Sequence, residues 1–192
     1  MSQLCLAGFS RVFGSSRGAR GLAVTQVIVS FVALSMSLVS VSAQAAPITV
    51  GDQAPDVVLM KVVPNTGDVR ASILARNEGT EFVMIEFFTT SCQFCGLNLP
   101  IISRLAKDNE AKLTTLTIGL DRNEPALREY IVEHSDLIHF AVGLDLDRDA
   151  KRAYGIAAVP TTFVINKENK VVLHFVGLLS DEDQAQIKDL LK

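Results

Sequence analysis

The chain has 192 residues, 18 basic and 21 acidic side chains, a net charge of −3 and no Trp. This length suits one domain, and the acidic balance argues against a nucleic-acid partner. Three cysteines and three scattered histidines supply no second ligand pair at suitable spacing for a metal site.

The charge is unevenly placed. Arg11, Arg17 and Arg20 are the only charges before Asp52. Leu22 to Val41 is an apolar run interrupted only by Thr, Gln and Ser, and Ala43-Gln44-Ala45 has the A-x-A form of a cleavage site. Basic region, apolar region and small-residue cut are the layout of a secretory signal, so residues 1–45 are read as a signal peptide. The apolar run is long for that purpose, which makes an uncleaved N-terminal membrane anchor the second reading and an organellar transit peptide the third. Cleavage after Ala45 would remove Cys5 and leave residues 46–192. With three basic residues gone, 15 basic and 21 acidic ones remain, a net charge of −6. Cys92 and Cys95 would be the only thiols, which suits an oxidising compartment, the periplasm or another extracytoplasmic space.

Beyond a polar start at Gly51 to Pro55, Val57 to Val63 reads as a strand. Pro64 to Asp68 turns it, Val69-Arg70 pairs back, and Ser72 to Arg76 is one helical turn. Phe82 to Phe88 is an apolar, β-prone buried strand. A helix follows from about Cys95 to Asn109, with Leu97, Ile101, Leu105 and Ala106 at helical spacing. Lys112 to Leu120 is a second buried strand and Glu124 to His134 a helix with Pro125 in its first turn. His139 to Leu144 is a short strand, and Asp147 to Tyr154 a short helix stopped by Gly155. Pro160 to Ile165 and Val171 to Val176 form a hairpin across Asn166 to Lys170. Asp181 to Leu191 closes the chain as an amphipathic helix capped by Ser180 or Asp181. This order specifies an α/β domain, a central mixed β-sheet flanked by helices on both faces.

Cys92-Gln93-Phe94-Cys95 stands where the strand Phe82–Phe88 gives way to a helix. Unpaired N–H groups and the helix dipole favour a thiolate on the first cysteine there. A thiolate attacks disulfides, and a second cysteine three residues on can close a ring with it, so a redox site leads. A structural disulfide is the second reading and a zinc site the third, since no further cysteine or histidine pair supplies ligands. Asp145-Leu146-Asp147-Arg148-Asp149 resembles the start of a calcium loop, but Ala150 and Ile156 replace its Gly and Glu, so a solvated turn and helix cap is read instead. His139 and His174 are read as sheet residues, and Phe87 and Phe88 as core.

With the element order, Val159-Pro160-Thr161-Thr162-Phe163 and the two cysteines resemble the thioredoxin superfamily. Gly51-Asp52-Gln53-Ala54-Pro55-Asp56, Ala153-Tyr154-Gly155-Ile156 and Gly177-Leu178-Leu179-Ser180 are similar to the exported TlpA-like thiol–disulfide oxidoreductases. The resemblance covers residues 50 to 192 and implies a thioredoxin-like fold. It implies that Cys92 is the exposed nucleophile, Cys95 the buried resolving cysteine, and Pro160 a cis-proline whose loop faces them. Val159 would then offer its backbone to an extended substrate segment. It also implies that Glu86, six residues before Cys92, is a buried acid that takes the proton of Cys95. The alternative for Glu86 is an outward side chain on a strand edge. Phe94 is expected as an exposed substrate contact.

Three departures stand out. Ser91 replaces a common Trp, Asn98 sits where many envelope relatives carry an acid, and Gln93-Phe94 lacks the histidine that favours an oxidant. The last tilts the expectation towards a reductant. The expected partners are protein disulfides or thiols, in maturation of an apocytochrome or a copper site, with a membrane electron donor and contact with the membrane only through an uncleaved leader. These partners rest on family analogy, and no cofactor is implied. A non-catalytic thioredoxin-fold binding module is the alternative, a dithiol oxidant another, and a peroxide-reducing relative weaker still.

Overall fold

The computed structural model describes residues 47–63 and 67–192. The expected leader and the turn at Pro64 to Thr66 lie outside the described residues. Strands β1 (Val58–Val63), β2 (Gly67–Ser72), β3 (Phe82–Phe88), β4 (Leu113–Gly119), β5 (Ala141–Leu144), β6 (Thr161–Ile165) and β7 (Val171–Val176) form one sheet in the order β2-β1-β5-β4-β3-β6-β7. β3, β4 and β5 run parallel, and the remaining pairs are antiparallel. The helices are α1 (Gln93–Asp108), α2 (Glu124–Glu133), α3 (Asp149–Ala153) and α4 (Asp181–Leu190).

β3 lies at the centre because it is apolar on both sides, as a strand covered twice must be. Met84 and Phe88 face a core built with α1, α2 and α4, whereas Val83, Ile85 and Phe87 face one that includes Ala150 of α3 and Tyr154. The expected mixed sheet with helices on both faces is therefore what forms. α2 approaches the end of β4 so closely that a Cβ at Gly119 would sit 2.7 Å from Leu127 Cδ2. A side chain there would require Leu127 to shift. Among the described residues no helix is long and apolar enough to cross a membrane.

Two local expectations are corrected. Ser72 to Arg76 is not a helical turn: β2 continues to Ser72, and a single turn follows at Ile73-Leu74, closed by the Ala75 N–H donating to the Ser72 carbonyl at 3.2 Å. The buried face of α1 is Cys95, Asn98, Leu99, Ile102, Leu105 and Ala106, while Leu97 is 54% exposed. The helix begins at Gln93 and turns its apolar stripe about one residue from the expected one, because Cys95 anchors it inward. His139 lies just before β5 and is exposed, while His174 stacks on Phe163 with ring centroids 4.4 Å apart. Asp145 is a helix cap as expected but not a solvated one. It is buried, and its carboxylate accepts the N–H groups of Ala150 and Lys151 at 3.1 and 2.7 Å.

Candidate active site

The loop Thr89–Ser91 carries the chain from β3 into α1, and it is tied at both ends. Asp121, just past β4, accepts the Thr90 N–H at 3.0 Å and the Thr90 hydroxyl at 2.9 Å. The Cys92 N–H donates to the Thr89 carbonyl at 3.1 Å. Cys92 is thereby held in extended geometry as the N-cap of α1, and its Sγ accepts the Cys95 N–H at 3.1 Å. A helix N-terminus offers unpaired donors and positive potential, and both stabilise a thiolate. Cys92 and Cys95 are joined as a disulfide with Cα atoms 5.2 Å apart. Cys92 is partly exposed and Cys95 is buried, so the two sulfurs have unequal access to solvent.

The loop before β6 closes the other side. The Val159–Pro160 bond is cis, and the Val159 carbonyl oxygen lies 3.8 Å from Cys92 Sγ. The Pro160 carbonyl accepts the Gly177 N–H at 2.8 Å, which fixes the loop against the segment after β7.

Behind the disulfide, Glu86 is 3% exposed on the α1 side of β3. It is not an outward edge residue. Burial pushes its carboxyl up to about 7, partly opposed by a hydrogen bond from Asn98, because the charged form loses its water shell. Glu86 and Cys95 line the same small cavity of about 10 Å³, together with Thr117 and Tyr130. That volume is about what one water needs. Burial, and next the nearby Glu86 charge, raise the Tyr130 phenol above its ordinary value.

The structure thus brings Cys92, Cys95, Glu86, Val159 and Pro160 together. Phe94 is 59% exposed on the first turn of α1, with exposed Leu97 on the turn after it. Sequence reasoning missed Asn98, Asp121 and Tyr130 as parts of the site. Asn98 carries a signal in retrospect, since it lies three residues after Cys95 and so shares its helix face.

The family model described as AhpC/TSA family matches residues 50–174. The chain belongs to the AhpC/TSA family. Among curated relatives, the thiol-disulfide oxidoreductase ResA of Bacillus subtilis is 26% identical over 111 residues, which are 57% of this chain and 61% of that protein. The ResA of Geobacillus thermodenitrificans is 28% identical over 146 residues, covering 76% of this chain and 79% of its own. The matches to the Bacillus thuringiensis and Bacillus subtilis proteins span only 61% of those relatives' length. Among solved structures, the thioredoxin domain of a thiol-disulfide oxidoreductase from Bacteroides vulgatus superposes with a TM-score of 0.62 at 17% identity, over 76% of this chain and 99% of that one. Mycobacterium tuberculosis AhpC does so with a TM-score of 0.61 at 20% identity, over 76% and 94%. These superpositions show that the chain has a thioredoxin-like fold, as the sequence resemblance implied.

Proposed function

We propose that this protein is a thiol–disulfide oxidoreductase that reduces disulfides in protein substrates. The observation that carries the reading is the buried Glu86, which shares a cavity with Cys95 behind an N-cap cysteine. In the reduced form, the Cys92 thiolate attacks one sulfur of a substrate disulfide. The Cys92–substrate mixed disulfide forms, the substrate S–S bond breaks, and one substrate thiolate leaves. Cys95 then gives its proton to Glu86 and attacks Cys92 Sγ, which expels the second substrate thiolate and leaves Cys92–Cys95 oxidised. The substrate gains two electrons and the domain loses two. A carboxyl near 7 suits this duty, because it both accepts and returns a proton at neutral pH.

Val159 and Pro160 present the loop backbone against which an extended substrate segment lies, and Phe94 supplies an apolar contact at the rim. The reductant direction is supported by Gln93-Phe94, which places no histidine between the cysteines to stabilise the Cys92 thiolate. The leader supports export to an extracytoplasmic compartment, where a membrane protein supplies the electrons. Maturation of an apocytochrome or a copper site is the substrate setting that the resemblance favours.

Catalysed reduction of insulin by dithiothreitol tests the reading. The full chain accelerates it, and Cys92→Ser abolishes the acceleration. Equal rates with and without the protein would instead make the Cys92–Cys95 bond a structural staple. Equilibration with glutathione fixes the direction, with a potential well below that of glutathione expected for a reductant.

A further inference from the structure

Val159 borders a second, larger cavity. Its volume is about 200 Å³, and it is lined by Thr89, Leu120, Arg148, Lys151 and the Ile156–Val159 stretch. Thr89 opens the loop that leads to Cys92, so this cavity flanks the disulfide through both loops that frame it. Its two charged lining residues are both cations, in a domain that is acidic overall.

The nearby carboxylates are engaged elsewhere. Asp145 is turned onto the backbone N–H groups of Ala150 and Lys151. Asp149 pairs with Arg152, and Asp147 is exposed and does not line the cavity. Among the described residues neither Arg148 nor Lys151 has a carboxylate partner, and Arg148 Nε is buried without a hydrogen bond. A buried guanidinium N–H left unpaired costs stability unless a ligand meets it. Arg148 also holds a left-handed backbone, φ 62°, which glycine would adopt without penalty.

We propose that this cavity is a specificity subsite for an acidic side chain of the substrate, placed within about two residues of its reactive cysteine. The proposal rests on the oxidoreductase reading above. A segment lying extended along Val159 sends alternate side chains to the same side about 6.6 Å apart, within reach of a neighbouring cavity. The apolar walls from Leu120 and Ile156 to Ala158 accept methylenes, and the cations accept the carboxylate. Glutamate fits this combination of apolar wall and positive charge.

The test uses two end-capped cysteine peptides as disulfide-linked homodimers, identical except for Glu or Gln two residues from the cysteine. The pre-reduced full chain is mixed with each, and released peptide thiol is followed in a single turnover. The Glu peptide should react about fivefold faster at low salt, the scale expected of partly exposed ion pairs. The ratio should shrink at about 0.5 M salt, fall to near one in Arg148→Gln with Lys151→Gln, and invert in Arg148→Glu. Lys188→Gln, on α4 and not among the cavity's lining residues, should keep it. A wild-type ratio of one, or a ratio unmoved by Arg148→Gln, overturns the subsite. Binding of the same peptides with Ser in place of Cys to the oxidised chain separates the two readings. If neither disulfide is reduced, the oxidoreductase reading fails, and the Glu-over-Gln binding preference and its loss in Arg148→Gln still decide the subsite.

Discussion

Asn98 donates a side-chain N–H to Glu86 Oε1 at 2.7 Å while its own carbonyl accepts the Leu179 N–H at 3.1 Å. One amide therefore ties the buried acid to the segment that leads into α4. The first contact favours the charged carboxylate and holds its pKa below where burial alone would leave it. Asn98→Leu should therefore move the Glu86 titration above about 7. It should also cost about 1–3 kcal/mol, because the Leu179 N–H is left buried and unpaired. Carbon-detected NMR titration of the Glu86 carboxyl reads the first effect and denaturant unfolding the second. A midpoint that stays or falls would show that Asn98 does not set the acid's protonation.

The same carboxyl makes stability depend on pH. Folded Glu86 keeps its proton up to about 7, whereas the unfolded residue loses it near 4.5. Between these values the folded state binds more protons, so the unfolding free energy falls as pH rises and levels off above the folded pKa. The loss attributable to this group is about 3 kcal/mol. In the oxidised domain, Glu86→Gln should abolish that decline and be the more stable form at pH 8. Parallel pH–stability curves for the two proteins would refute the buried-acid account.

Glu86→Gln separates the two chemical steps as well. The initial attack by Cys92 should change little, since its thiolate is set by the helix N-terminus. Resolution by Cys95 should slow about a hundredfold, the low end of what general-base assistance supplies. Mixed disulfides trapped by acid quench should accumulate only in the variant. A resolution rate equal to wild type would remove Glu86 as the proton acceptor.

The two thiols should also differ before any substrate arrives. In the reduced chain, Cys92 should alkylate with an apparent pKa below about 8.5, and Cys95, on the buried face of α1, much more slowly. Mass mapping after a short iodoacetamide pulse distinguishes them. Equal labelling at neutral pH would overturn the assignment of nucleophile and resolving cysteine.

What the sequence made legible follows from the range of the forces involved. β3 was readable because its apolar run is itself the record of being covered on both faces, and the N-cap place of Cys92 because strand and helix signals meet there. The face of α1 was misjudged at Leu97 because two nearly equivalent stripes fit the spacing. Only the inward Cys95 and Asn98 decide between them. Asn98 itself was read as a missing acid, since its partners Glu86 and Leu179 lie 12 and 81 residues away and contacts at such range leave no periodic trace. The role of Asp121 went unnoticed in the sequence for the same reason. Its partner Thr90 is 31 residues distant.

Asp121 supplies the last test, because it joins the end of β4 to the loop that presents the nucleophile. Its carboxylate takes both the N–H and the hydroxyl of Thr90, and Cys92 follows two residues later. Charge-assisted hydrogen bonds to a partly exposed carboxylate are worth about 1 kcal/mol after screening, so Asp121→Ala should destabilise the domain only modestly. Its larger effect should fall on Cys92. A loop free to move no longer holds Sγ at the N-cap, and the thiolate loses part of the stabilisation that the helix terminus gives. The Cys92 alkylation pKa should rise towards about 8.5, and insulin reduction at pH 7 should slow severalfold. Thr90→Ser, which keeps both donors, should leave the pKa in place. If Asp121→Ala lowers stability while the Cys92 pKa stays unmoved, Asp121 supports the fold and does not position the nucleophile.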